Sequence, residues 1–135
     1  YALHLGQAPG SSRLRLEAIG INVGAEPGET AKPLVEDGPI AYRTELPLDD
    51  WATRLNAAGI PAAVSYHAGT YLCNAAFYLS CYLAERMSLA TQSVFIHLPL
   101  DARQTAAAGS DQASLPTALV GEGLRLILAE LAEME

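Results

Sequence analysis

The sequence predicts an α/β fold in which helices pack on a mixed, mostly parallel sheet. Short apolar segments typical of strands alternate with longer segments of helical character, and this order is typical of an α/β sandwich. The chain has 135 residues, of which 50% are hydrophobic and 17% are charged, so it can bury a core. No internal repeat is visible, and we expect residues 1–135 to form one α/β domain.

Five segments have the pattern of β-strands. From residue 13 to residue 19 polar and apolar residues alternate, which predicts a strand with one buried face, and the pattern extends to Val23. Three further segments are short apolar runs, several of them bounded by turn residues, which is typical of buried strands. Residues 40–46 are a candidate for another short strand. The predicted strands cover residues 1–7, 13–23, 40–46, 60–65 and 92–98.

Three segments are predicted to be helices. Asp49 or Asp50 is expected to cap the first, which covers residues 51–58. Residues 71–87 form the second, because they are largely apolar, free of Pro and Gly, and too numerous for a strand. The third opens at Ser114. Its buried side is predicted to carry Leu119, Leu126, Ile127 and Leu131.

Two segments are predicted to be loops. Residues 24–37 are rich in Gly, Pro, Glu and Thr and contain few large apolar residues, which is typical of a long surface loop. Long loops of this kind more often carry function than determine the fold. Residues 102–113 are small or polar, and we expect them to form a second loop.

The charge balance excludes two classes of partner. Eight basic and fifteen acidic residues give a net charge of −7, and the isoelectric point is near 4.8. Nucleic acids and anionic membrane surfaces attract positively charged proteins, so we expect neither as a partner. No apolar run approaches the roughly 20 residues that a membrane-spanning helix needs.

The two cysteines, Cys73 and Cys81, are eight residues apart on the predicted helix over residues 71–87. A rise of about 1.5 Å per residue places them roughly 12 Å apart, beyond the ~7 Å Cα separation that a disulfide allows. This indicates a reduced, cytoplasmic setting. Three His and two Cys without short ligand spacing do not predict a zinc site, and no glycine-rich phosphate loop is present.

Cys73 lies where a turn passes into the predicted helix over residues 71–87. A thiol there is exposed to the positive end of the helix dipole and to unpaired backbone N–H groups, which stabilise a thiolate. The same N–H groups can bind an oxyanion. The alternative is that Cys73 is a small buried hydrophobic residue, the usual place of a free cysteine. Cys81 lies mid-helix and is expected to be an inert packing residue.

His97 and Glu17 are further candidates. His97 ends an apolar strand, at the kind of sheet edge where ligands bind in open α/β sheets, although a structural histidine has the same pattern. Glu17 interrupts an apolar segment. It either faces solvent by simple alternation or orients an imidazole as the third member of a triad, and spacing does not separate these alternatives.

Four segments together resemble the pyroglutamyl peptidase I (pyrrolidone-carboxylate peptidase) family. Residues 65–74, Ser-Tyr-His-Ala-Gly-Thr-Tyr-Leu-Cys-Asn, resemble its Ser-x-x-Ala-Gly-x-x-x-Cys-Asn signature. Residues 95–99, Phe-Ile-His-Leu-Pro, are similar to its Phe-Ile-His-Val-Pro stretch, and 24 residues separate Cys73 from His97 as in the family. Residues 17–22 and 6–8 resemble its Glu-Arg-x-Ala-x-Asn and Gly-Gln-Ala segments.

The resemblance implies a cysteine exopeptidase, a thiol protease that hydrolyses the N-terminal pyroglutamyl residue from peptides. It assigns Cys73 as the nucleophile, His97 as the base and Glu17 as the residue that orients the imidazole. Gln7 would contact the pyroglutamyl group, and the backbone N–H of Cys73 would bind the oxyanion. Neither a metal nor an organic cofactor is implied. The expected partners are pyroglutamyl peptides and further copies of the chain, as a dimer or tetramer.

The resemblance also implies a three-layer α/β/α sandwich of the phosphorylase/hydrolase type. The family's first strand and helix, with the aromatic residues that enclose the lactam ring, would lie before Tyr1, so we expect the domain to be N-terminally incomplete. Two other functions are consistent with the residues. One is a non-catalytic or fragmentary relative that acts by assembly with a partner; the other is a different α/β cysteine hydrolase, such as a glutamine amidase.

Overall fold

A computed structural model describes residues 1–134, within which eight strands and four helices form an α/β fold. A mixed, mostly parallel sheet of four strands has the order β1-β6-β2-β5, and two pairs of short strands accompany it. The strands are β1 (Ala2–Gln7), β2 (Leu14–Glu17), β3 (Ile19–Ile21), β4 (Ala41–Arg43), β5 (Ala62–Ser65), β6 (Ser93–Leu98), β7 (Leu100–Asp101) and β8 (Ser114–Leu115). The helices are α1 (Leu48–Ala57), α2 (Leu72–Arg86), α3 (Ala102–Ala108) and α4 (Thr117–Glu133).

Contacts are densest within two compact units of the chain. The first comprises residues Tyr1–Gly6, Glu17–Leu46 and Ser65–Ile96. The second comprises Gln7–Leu16, Pro47–Val64 and the chain from His97 onward. None of the helices that the structure describes is both long and apolar enough to cross a membrane.

In the first unit, helix α2 packs on the antiparallel pair β3–β4. The pair is in register with Gly20 opposite Tyr42. A Cβ on Gly20 would lie 3.0 Å from the backbone nitrogen of Tyr78, so glycine allows the strand to approach the helix closely. Phe77 and Tyr78, both fully buried, fill the contact side of α2. The absence of Pro and Gly in this apolar segment explains why it forms a long helix, as the sequence predicts.

In the second unit, helices α1 and α4 pack together over an aliphatic core. Leu55 and Ile127 contribute one buried side chain each, with 1% of their surface exposed. A Cβ on Gly123 would lie 2.9 Å from a methyl group of Leu14, so the glycine lets α4 approach β2 closely. Strands β7 and β8 form a short parallel pair beside α3.

The prediction of a loop over residues 102–113 is wrong, because residues 102–108 form helix α3. Asp101 caps the helix, and Gln104 completes a capping box by bonding back to the N–H of Asp101. Gly109 ends it in the left-handed conformation, with φ +57. The Asp-x-x-Gln spacing was therefore the signal that indicated a helix start in this polar, small-residue segment.

The predicted strand over residues 13–23 is divided at Ala18 into two strands. The N–H of Ala18 donates to the carbonyl of Ser65, whereas the carbonyl of Ala18 accepts from the N–H of Thr44. Strand β2 therefore belongs to the four-stranded sheet, and β3 pairs with β4. The prediction of a buried first strand is also wrong: Leu5 of β1 is 47% exposed, because β1 is an outer strand of its sheet.

Two helix starts differ from the prediction. Helix α1 begins at Leu48 after Pro47, so Asp49 and Asp50 lie in its first turn, where they complement the helix dipole, and do not cap it. Helix α4 begins at Thr117 after Pro116 rather than at Ser114, and the fixed φ of proline suits a helix start. Its buried side carries Val120, Gly123, Ile127 and Leu131, whereas Leu126 is 42% exposed.

Candidate active site

Cys73 occupies the second position of helix α2, as the sequence predicts. The first residues of a helix have backbone N–H groups without a partner inside the helix, and Cys73 carries one of them. The turn before the helix depends on Gly69, whose φ of +86 is strained for any residue with a side chain. Both Cys73 and Cys81 are free thiols on this one helix.

The sulfur of Cys73 lies in a tight apolar setting within the first unit. It packs against a core cluster of Ala68, Phe77 and Phe95. A Cβ on Gly6 would lie 2.9 Å from Sγ of Cys73 and 2.7 Å from the ring edge of Phe95. Only a residue without a side chain fits here, so Gly6 leaves the space that the sulfur occupies.

The ionisation of Cys73 differs from what its place on the helix suggests. Burial raises the pKa of the thiol, and the negative charge of Glu17 raises it further. This direction is opposite to the thiolate stabilisation that the helix start predicts. A nucleophile with this pKa needs a base to remove its proton.

Glu17 is fully buried at the end of β2, with 0% of its surface exposed. The alternative in which it faces solvent is therefore wrong. Leu14 and Leu16 of the same strand are also 0% exposed, so the strand is buried on both faces at this point. Its charge acts on Cys73, and these two residues are the predicted site residues that the first unit brings together.

Two asparagines form hydrogen bonds that connect the segments on either side of Cys73 and Glu17. Asn74, fully buried, accepts from the N–H of Ile21 at 2.8 Å and donates to the carbonyls of Ile21 and Val23 at 2.9 and 2.8 Å. Asn22 bonds to both the N–H and the carbonyl of Val35. The start of α2 is thereby fixed to the end of β3, and the long loop is fixed to the same strand end. Both residues belong to the motifs quoted above, but their roles were not predicted.

His97 and Gln7, the other predicted site residues, belong to the second unit. His97 lies in β6 and is 7% exposed. Gln7 ends β1 and is exposed, and its Nε2 donates to Oε1 of Gln104 at 2.7 Å. Gln7 also lines a cavity of about 140 Å³ together with Leu98 and Pro99, which directly follow His97.

A cavity of about 270 Å³ opens at the start of α2, beside the long loop. Tyr71 and Leu72, the two residues before Cys73, form part of its wall together with Leu34. Three charged residues of the loop also line it: Glu26, Glu29 and Lys32. This cavity was not predicted from the sequence, although two of the residues that line it directly precede Cys73.

Metal binding has no support in the part of the chain that the structure describes. Within residues 1–134 no three His, Cys, Asp or Glu side chains are grouped so that they could hold a metal ion.

The family model for pyroglutamyl peptidase matches residues 1–133 of the chain. The chain belongs to the pyroglutamyl peptidase family. It is 36% identical to the pyrrolidone-carboxylate peptidase of Coprothermobacter proteolyticus, over 97% of this chain and 67% of that protein. It is 38% identical to that of Cupriavidus taiwanensis, over 93% of this chain and 61% of that protein.

Solved structures of pyroglutamyl peptidase relatives share the fold. The pyrrolidone carboxyl peptidase of Fervidobacterium islandicum AW-1 superposes with a TM-score of 0.90 at 34% identity, over 98% of this chain and 68% of that one. The Pyrococcus furiosus protein gives a TM-score of 0.88 at 30% identity, over 99% and 70%. Against the relatives from Cupriavidus taiwanensis and Pectobacterium atrosepticum, the chain spans 61% and 62% of their length.

Proposed function

We propose that this protein is a cysteine exopeptidase that hydrolyses the N-terminal pyroglutamyl residue from peptides. One observation carries the proposal: a free cysteine in the first turn of a helix, in a chain of the pyroglutamyl peptidase family. The family match alone indicates a hydrolase of this class. The cysteine adds the nucleophile, because its sulfur is half-buried next to backbone N–H groups that can bind an oxyanion.

The proposed catalytic residues are Cys73, His97 and Glu17. His97 takes the proton from the Cys73 thiol, and the thiolate forms a bond to the acyl carbon of the pyroglutamyl residue. The backbone N–H of Cys73 donates to the oxyanion that results. As the C–N bond breaks, the leaving amine takes the proton from His97, and water then hydrolyses the thioester to release pyroglutamate. The raised pKa of Cys73 supports the need for a base.

Glu17 is proposed to orient the imidazole, as the acid does in other triads. Its complete burial supports this role over that of a solvent-exposed surface residue, because burying a carboxylate costs free energy unless other groups compensate the charge. No metal or organic cofactor takes part in this scheme. Each step uses only a thiol, an imidazole, a carboxylate and water.

The pyroglutamyl ring is proposed to lie beside Gln7. The ring is small and largely apolar, so its affinity depends on apolar enclosure and a few amide hydrogen bonds. Gln7 is proposed to bind the amide group of the lactam.

The remaining assignments are proposals of the same kind. We propose a single domain over residues 1–135, supported by one family model that matches residues 1–133. A cytoplasmic location is supported by two free thiols. A dimer or tetramer is proposed from the resemblance to the family alone. The net charge of −7 supports peptides rather than nucleic acids or membranes as partners.

The experiment compares two fluorogenic substrates, pyroglutamyl aminomethylcoumarin and prolyl aminomethylcoumarin. They share a five-membered ring and differ in its carbonyl, which makes the ring nitrogen a neutral lactam N–H instead of a basic amine, so they report on lactam recognition. We expect the purified protein to cleave the first and not the second, and iodoacetamide to abolish the cleavage. Cleavage of neither substrate would instead favour a non-catalytic relative, and cleavage of glutamine amides would favour a different cysteine hydrolase.

A further inference from the structure

Gln7 is bound to a second glutamine that is 97 residues away in the sequence. Its Nε2 donates to Oε1 of Gln104 at a distance of 2.7 Å. Gln7 ends strand β1, and Gln104 is the third residue of helix α3, whose capping box it completes. Both residues belong to the second unit, so the contact lies within one compact part of the chain.

The direction of this hydrogen bond is fixed by a third group. Oε1 of Gln104 also accepts from the backbone nitrogen of Asp101 at 2.8 Å. A backbone N–H can only donate, so the atom of Gln104 at this point must be its oxygen. The atom of Gln7 that approaches the same oxygen must then be its nitrogen. The amide of Gln7 therefore has one orientation, with Oε1 directed away from Gln104.

The acceptor on Gln104 is itself held by the helix starts around it. Oδ1 of Asp101 accepts from the N–H of Arg103 at 2.9 Å. Oδ2 of Asp101 accepts from the N–H of Thr117 at 2.9 Å and from its hydroxyl at 2.5 Å. The start of α3 is thus tied to the start of α4. The Gln104 oxygen is therefore held in place, because Asp101, whose N–H it accepts, is bonded to the starts of both α3 and α4.

We propose that Gln104 is a positioning residue that orients the Gln7 amide so that its Oε1 accepts from the lactam N–H of the substrate. This rests on the proposed function, in which Gln7 binds the pyroglutamyl group. A lactam presents one N–H donor and one carbonyl acceptor side by side. In the fixed orientation, Oε1 of Gln7 accepts from the N–H, and the second hydrogen on Nε2 donates to the carbonyl. The flipped amide would place a donor against a donor.

Three variants separate this role from a purely structural one. Gln104→Glu keeps an acceptor for both Asp101 and Gln7, so it preserves the capping box and the orientation. Gln104→Leu removes the acceptor at similar size. Ala106→Gly, at an exposed position of α3, weakens the helix without touching Gln104 and is the matched control.

The first readout is the side-chain amide signal of Gln7 in NMR spectra of the free protein. We expect it to be unchanged in Gln104→Glu and Ala106→Gly and to shift in Gln104→Leu. The second is affinity for pyroglutamamide and for its N-methyl analogue, which lacks the N–H. The wild type and Gln104→Glu should prefer the N–H form by about tenfold, and Gln104→Leu should lose that preference. With a turned-over substrate, Gln104→Leu should raise KM by a similar factor and leave kcat nearly unchanged.

An unshifted Gln7 signal in Gln104→Leu would overturn the inference whatever the catalytic activity. A shifted signal without any preference for the N–H lactam in the wild type would overturn the positioning of the substrate. If Ala106→Gly lost the preference for the N–H lactam as fully as Gln104→Leu, the effect would come from the stability of α3. That result would also overturn the inference. Hydrolysis by the wild type is measured separately, so failure of the proposed function is distinguished from failure of this inference.

Discussion

The charge of Glu17 acts on the thiol of Cys73, and both residues lie in the first unit of the chain. Burial is the larger cause of the raised pKa of Cys73, and Glu17 adds to it. A carboxylate that is fully buried near a thiol opposes the thiolate, although the helix start favours it. Because burial and Glu17 both raise the pKa of the thiol, the proposed mechanism depends on proton transfer from Cys73 to a base.

Replacing Glu17 by Gln should lower the pKa of Cys73. The substitution removes a negative charge that opposes the thiolate, so the pH at which Cys73 becomes reactive should move downward. The measurement is the rate of iodoacetamide alkylation against pH, read at Cys73 by mass spectrometry. Cys81 is the internal control, because burial alone raises its pKa and Glu17 is not among the causes. An alkylation profile of Cys73 that does not move would show that the carboxylate has no effect on the thiol.

Replacing Gly6 by Ala should displace the Cys73 sulfur. The new Cβ would lie 2.9 Å from Sγ and 2.7 Å from the Phe95 ring, so the side chains must shift. Overpacking of this kind costs about 1–3 kcal/mol of unfolding free energy, and we expect slower alkylation of Cys73. The control is Gly121→Ala in α4, where the new Cβ would lie 3.8 Å from the Arg125 side chain. That change should stabilise the protein by about 1 kcal/mol and leave alkylation unchanged.

Replacing Asn74 by Ala should lower the unfolding free energy by about 3 kcal/mol. Three buried backbone groups would lose their partner: the N–H and carbonyl of Ile21 and the carbonyl of Val23. Urea unfolding measures the change. Gln112→Ala removes an exposed amide and should change the stability by less than about 0.5 kcal/mol. Equal stabilities for the two variants would mean that Asn74 does not fasten the start of α2.

The stability that the ionised carboxylate of Asp101 contributes should be lost in acid. Its pKa is lowered, first by the Thr117 hydroxyl and then by the N–H of Arg103. A lowered folded-state pKa contributes stability that is present above the ordinary pKa and is lost as pH falls through the folded value. Thermal unfolding of the wild type and Asp101→Asn, followed from neutral pH into acid, should show a difference that shrinks at low pH. A constant difference would contradict the role of the charge, and Asp111→Asn at an exposed position is the control.

Local patterns predicted much of the fold, whereas tertiary contacts decided the rest. The uninterrupted apolar segment of α2 and the turn before it placed Cys73 at a helix start, and the structure confirms this. Helix α3 was missed because its capping box was overlooked in a segment of small residues. The direction of the Cys73 pKa was mispredicted because it depends on burial against Phe95 and on Glu17, which lie far away in the sequence.

The contact between Gln7 and Gln104 shows the limit of sequence reasoning most clearly. The two residues are 97 positions apart, and neither has a periodicity that indicates a partner. The resemblance to a family assigned Gln7 to substrate binding, but only the structure provides the group that fixes its amide. The local sequence says little about a residue that positions another, because its role depends on a contact with a residue that is distant in the sequence.

The most direct test of the central claim is pyroglutamyl aminomethylcoumarin hydrolysis by three proteins: the wild type, Cys73→Ser and Cys81→Ser. The two variants make the same chemical change on the same helix, so a general effect on folding would lower both activities. We predict that the wild type and Cys81→Ser release the coumarin at similar rates and that Cys73→Ser releases none above background. Hydrolysis by Cys73→Ser at the wild-type rate, or its loss only in Cys81→Ser, would contradict Cys73 as the nucleophile.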